Sequence, residues 1–133
     1  MGKEKSSVLS GLQEEVLHIG MGKEERRKGE MLIYICGKIT GTVDYKEKFE
    51  FAETDIKSAG HTPINPVKFN ERVGETSYEK IMKNCIALLE LCEGIYVIDG
   101  AEDSCGCNRE IGFAIARNMK FFDATNMTRN YEG

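Results

Sequence analysis

Histidine, long apolar runs and clustered positive charge are all scarce in this chain of 133 residues. The two histidines, His18 and His61, lie far in sequence from the one suggestive cysteine spacing, Cys105-Gly-Cys107. Zinc sites are normally assembled from two clustered ligand pairs, so this pattern argues against a metal, and no other cofactor is expected. The five cysteines, Cys36, Cys85, Cys92, Cys105 and Cys107, are odd in number, which points to free thiols and not to a disulfide framework. No apolar run approaches the length of a membrane span, and the opening MGKEKSSVLSG lacks the uninterrupted apolar stretch of a signal peptide. A cytoplasmic chain without a membrane partner is the expectation. Lys and Arg number 18 against 22 Asp and Glu, a net charge of −4, and they form no basic stripe. A nucleic-acid backbone needs such a stripe, so the expected partner is a small molecule or another protein.

What is present is enough for one modest core: 41% of the residues are hydrophobic, and the length is that of a single domain. Residues 1–30 are highly charged, with KEERRKGE before the first strand. Val8, Leu9, Leu12, Val16 and Leu17 at helical spacing predict an appended helix followed by a solvated linker. From residue 31 to 133 the pattern is that of a second unit. Met31 to Cys36 reads as a buried strand. Tyr45 to Ala59, with Phe49, Ala52, Ile56 and Ala59 on one face, reads as a helix stopped by Gly60, and HTPINP as a short strand followed by a loop. Ser77 opens a second helix striped by Ile81, Cys85, Leu88, Leu89 and Cys92. Ile95 to Ile98 is a third strand, Ile111 to Asn118 a third helix after a polar loop, and Lys120 to Phe122 a last strand. The alternation predicts an α/β fold: a three-layer, Rossmann-like or flavodoxin-like short parallel sheet in the order 2-1-3-4, with an N-terminal helical extension.

Open parallel sheets bind ligands beyond the carboxyl ends of their strands, where the strand order reverses. The loops that meet there are GKITG (37–41) and DGAEDSCGCNRE (99–110), the most polar and Gly-rich in the chain. Backbone amides and Lys38 suit the first to an anion, although a glycine-bounded turn without a ligand fits the same residues.

YICGKITG, the INP that closes the second strand, and IALLELCEGIYVI with EDSCGCNREIGFAIA together resemble the nucleoside 2-deoxyribosyltransferase-like superfamily, over about residues 31–122. The resemblance is closest to a compact phage and prophage group. The 2'-deoxynucleoside 5'-phosphate N-hydrolase branch, with Cys-Gly-Ser-Ile-Arg-Gly in its first loop, is also similar. It implies an N-glycosidase or deoxyribosyltransferase acting on a (deoxy)nucleotide, with a non-catalytic nucleotide-binding protein as the alternative.

In that superfamily the nucleophile is a glutamate four residues after a loop glycine, at the start of the third helix. Gly106-Cys-Asn-Arg-Glu110-Ile-Gly112 matches, so the resemblance assigns Glu110, whose position in the first helical turn would keep it ionised. Without the resemblance Glu110 is simply a favourable first-turn acid. Ser104 stands where the N-hydrolase branch binds phosphate, and with Lys38 and Thr40 it would form an anion cradle; Ser104 as a helix N-cap with Lys38 in solvent fits the same residues. The substrate contacts implied are Tyr34, Gly37, Lys38, Ile39, Thr40, Gly41, Asn65, Cys85, Ser104 and Gly106. The chain departs from the pattern at Cys85, where the superfamily has an aspartate, and Asp103 or Glu102 would have to serve as the acid. Transferases of this kind complete their site with a C-terminal asparagine from a neighbouring subunit. Asn126 is the candidate here, and a homodimer or larger homo-oligomer is the expected assembly.

Overall fold

Leu32 to Cys36 is apolar at each position and buried at each position, as a strand covered on both faces requires. This strand, β1 (Leu32–Cys36), is the centre of the sheet in a computed structural model that describes residues 28–127. Residues 1–27 and 128–133, and with them the predicted appended helix, lie outside the described residues. After β1 come α1 (Tyr45–Ser58) and β2 (Thr62–Ile64), then α2 (Pro66–Val73), α3 (Tyr78–Glu90), β3 (Gly94–Val97), a single 3₁₀ turn (Ala101–Asp103), α4 (Cys105–Ala116) and β4 (Lys120–Phe122). All three strand pairings are parallel and the order is β2-β1-β3-β4, as predicted. Among the described residues no helix is long and apolar enough to cross a membrane.

The period of two in β1 divides the core. Ile33 and Ile35 pack with Phe49, Ala52 and Ile56 of α1 and with Tyr96, Phe122 and Met127. Leu32, Tyr34 and Cys36 point the other way, to Phe69, Cys85, Leu88, Leu89, Cys107 and Ala114 from α2, α3 and α4.

Two elements differ from expectation. Pro66, read as the end of the second strand, and residues 67–73, predicted as loop, form α2: Asn65 Oδ1 accepts from the amides of Val67 (3.0 Å) and Lys68 (3.3 Å), Pro66 occupies the first turn, and Gly74 caps the end at φ 72°. The helix α4 starts at Cys105 and not at Ile111, because Ser104 Oγ accepts from the Cys107 amide at 3.3 Å and caps a segment of weak helix formers. Ser77 precedes α3 as predicted, yet its side chain makes no capping bond.

Candidate active site

The carboxyl end of β1 opens on a cleft of about 650 Å³ between the loop after β1, the first turns of α1, α2 and α3, and the start of α4. The loop can run so close to the sheet because residue 37 is glycine: a Cβ there would lie 2.8 Å from Ile98 Cδ1 and 2.9 Å from Phe49 Cε1. Its far end turns at Gly41, φ 79°, where Thr42 donates to the Ile39 carbonyl at 3.1 Å. Gly37, Lys38, Ile39 and Thr40 line the cleft, as do Asp103, Ser104 and Gly106.

At the buried end stands Glu110, 6% exposed. Tyr34, which is fully buried, donates its hydroxyl to Glu110 Oε2 at 2.6 Å. Because α4 begins at Cys105, Glu110 is the sixth residue of the helix and lies in its second turn, beyond the terminal amides that were expected to hold it ionised. Burial instead pushes its carboxyl above the ordinary range, and hydrogen bonds with Tyr34, Cys36 and Cys85 oppose that shift. The Tyr34 hydroxyl is raised as well, by burial and then by the Glu110 charge, so it remains a donor.

Cys85 lies on the wall of the cleft and on the apolar stripe of α3, 6% exposed. Burial and the Glu110 charge push its thiol up to about 12, so it keeps its proton at neutral pH. The Cys36 thiol, donating to the Cys107 carbonyl at 3.8 Å, is raised by its contact with Cys107 and by burial. The Cys107 thiol is lowered, chiefly by Cys36 and also by Ser104, against burial.

Three implied contacts sit elsewhere. Asn65 has its side-chain oxygen committed to capping α2, and it does not reach the cleft wall; Gly41 also stays off it, as part of the turn. Asn126 accepts from the Asp123 amide at 2.8 Å and donates to the Phe121 carbonyl at 3.1 Å, which ties its side chain to its own segment. Of the two loop acids, Asp103 is on the cleft, whereas Glu102 lies on a second hollow with Phe121 and Asn126. Sequence reading missed Asn70, buried on the cleft wall, where Asn84 donates to its Oδ1 at 2.9 Å and its own Nδ2 donates to the Pro66 carbonyl at 2.9 Å. The Asn-Pro start and the glycine at position 74 were the signals for the helix that carries it. It also missed Tyr45 and Tyr78, whose rings border the same cleft.

A family model described as a domain of unknown function (DUF4406) matches residues 31–123. No curated protein matches in sequence. Among solved structures, a 2-deoxyribosyltransferase from the psychrotolerant bacterium Bacillus psychrosaccharolyticus is similar, with a TM-score of 0.54 and 20% identity, over 69% of this chain and 70% of that one. This chain therefore shares the fold of that transferase, with the strand order and helical layers already described.

Proposed function

The chain belongs to the DUF4406 family, and for this member we propose an N-glycosidase or 2-deoxyribosyltransferase that cleaves the N-glycosidic bond of a (deoxy)nucleotide in the cytoplasm. One observation carries the reading: a buried carboxylate, Glu110, ends an open cleft and is held through one oxygen by a buried tyrosine hydroxyl at 2.6 Å. A carboxylate oriented in this way is suited to attack. One oxygen of Glu110 bonds to the anomeric carbon, the carbon–nitrogen bond breaks with its electron pair going to the base, and a glycosyl ester forms. Asp103, on the cleft wall, gives the departing base a proton directly or through water. Water or a second base then displaces the ester, regenerates Glu110 and returns a proton to Asp103. Cys85 has too firmly held a proton to serve as this acid.

A nucleotide is preferred to a nucleoside because Lys38, Ser104 and Gly106 share the cleft with the amino-terminal end of α4, which favours anions. Ser104 is also the position that resembles the phosphate-binding serine of the 5'-phosphate N-hydrolases. Tyr45 and Tyr78 supply rings on which a base can stack. Lys38→Ala with Ser104→Ala is expected to weaken monophosphates far more than nucleosides, since each contact to charge contributes roughly 1.5–3 kcal/mol. Equal losses for the two ligand types would remove phosphate from the reading. The assembly proposed is a homodimer or larger homo-oligomer, supported by the exposed rings of Phe51 and Phe121 on the second hollow, and sedimentation tests it.

A non-catalytic nucleotide-binding protein is the second reading, favoured by a thiol at Cys85 where the superfamily has a carboxylate. Incubation with a panel of deoxynucleotides and NAD, followed by chromatography, separates the two. Released base supports the enzyme; bound and intact ligand supports the binder.

A further inference from the structure

Sequence spacing pairs Cys107 with Cys105, but the fold pairs it with Cys36. Cys105 is exposed, whereas Cys36 at the end of β1 and Cys107 in the first turn of α4 are 0% and 3% exposed. The two sulfurs and one carboxylate oxygen of Glu110 all lie within 4.8 Å of one another. Tyr34 donates to Oε2 of that carboxylate, and its other hydrogen-bond partners are the neutral thiols of Cys36 and Cys85. Among the described residues no Lys, Arg or His forms an ion pair with Glu110. Buried carboxylates are ordinarily paired with a cation or bound to a metal, because an uncompensated buried charge is costly. A cation is what this cluster lacks, and two sulfurs favour a soft or borderline ion over Mg²⁺ or Ca²⁺.

We propose that Cys36, Cys107 and Glu110 form a binding site for a soft divalent cation of the zinc class, with the fourth position open to the cleft. Tetrahedral zinc holds sulfur at about 2.3 Å, which places ligand atoms about 3.8 Å apart, within reach of modest side-chain rotation from the observed cluster. On binding, the Cys36 thiol leaves the Cys107 carbonyl, the two thiols release their protons to solvent, and two metal–sulfur bonds and one metal–oxygen bond form. The ion occupies the carboxylate to which the proposed reaction assigns the attack, so the loaded chain releases no base. That consequence rests on the functional reading above; the site itself does not.

The test is calorimetric titration of Zn²⁺ into the full, reduced chain after a chelator has removed metal, with Mg²⁺ as the hard-ion control. One Zn²⁺ per chain and no heat from Mg²⁺ are expected, with a heat that varies with the ionisation enthalpy of the buffer. Cys36→Ser and Cys107→Ser should each weaken binding at least tenfold, while Cys105→Ser leaves it unchanged. Should a buried cysteine variant fail to fold, Glu110→Gln, which keeps the side-chain volume, decides the matter by the same loss of affinity. Absence of stoichiometric binding, binding undiminished in Glu110→Gln and the folded cysteine variants, or binding lost with Cys105→Ser would overturn the site. Base release by the metal-free chain that saturating Zn²⁺ leaves untouched would overturn the inhibition. No base release from the metal-free chain, with Zn²⁺ binding intact, would instead count against the functional reading alone.

Discussion

The two faces of the sheet are built on the same strand and do opposite work. Toward α1, β1 presents Ile33 and Ile35, which meet Phe49, Ala52 and Ile56 in a cluster made almost wholly of hydrocarbon. Toward α3 and α4 it presents Tyr34 and Cys36, which meet Cys85, Cys107 and Glu110. Hydrocarbon packing is insensitive to pH and needs only volume and shape, whereas a buried hydroxyl, carboxylate and thiols must satisfy one another. One face therefore supplies stability at little chemical risk, and it supports a second face whose groups are poised at the expense of stability.

The largest expected effect is on the α4 side. Glu110→Gln should lower base release on the order of a thousandfold or more, because it removes the nucleophile and almost no volume. Chromatography of the released base checks this, and full activity in the variant would end the assignment. Next is the α1 side, where Ile33→Ala should destabilise the fold by about 2–5 kcal/mol through a cavity, since Ile33 is fully buried in the α1 cluster and does not line the cleft. Denaturant titration measures it, and turnover at a temperature where the variant is folded should stay near that of the parent. Tyr34→Phe, one position away on the other face, should invert this behaviour: roughly 10- to 100-fold lower kcat through loss of a hydrogen bond to a charged group, with a melting temperature close to the parent's. If Tyr34→Phe unfolds and Ile33→Ala loses kcat, the division between faces is wrong.

The smallest effect concerns pH. The Glu110 carboxyl is raised in the folded state, so folding is favoured while the group is protonated and loses ground as pH climbs from the ordinary carboxylate range through the raised value. Glu110→Gln should accordingly melt a few degrees higher than the parent at pH 7, with the gap closing below about pH 4. In the parent, with chelator present, the acidic limb of the kcat/KM profile should lie above the range of an unperturbed glutamate. A limb at the ordinary position would show Glu110 to be better solvated than its burial indicates.

The strands, the helices and the two loops at the sheet edge were legible in the sequence because period-two and period-3.6 patterns are local consequences of burial. LIYIC is apolar throughout because it is covered on both faces, and FEFAETDIKSA shows one stripe because only one side of α1 is covered. The start of α4 was half legible: the helix was placed from Ile111, while Ser104 was open to two readings, a phosphate ligand or a helix cap, and the fold makes it the cap. Ser104 to Asn108 are weak helix formers, and it is packing of Cys107 and Glu110 against β1 that draws them into the helix, moving Glu110 from the first turn to the second. Asn65 resembled a binding residue in the sequence, while its neighbours in the fold make it a cap.

Sequence alone therefore determined which segments are strands and helices and which loops a ligand can meet, since hydrophobic period and turn chemistry act over a few residues. Tertiary structure decided the chemistry at the far end of that cleft. Tyr34 and Glu110 are 76 residues apart, and Cys36 and Cys107 are 71 apart. Their contacts exist only because parallel strands β1 and β3 lie side by side and α4 returns over the same face. The charge state of Glu110 follows from that enclosure, since solvent exclusion is a property of the assembled layers and not of any stretch of chain.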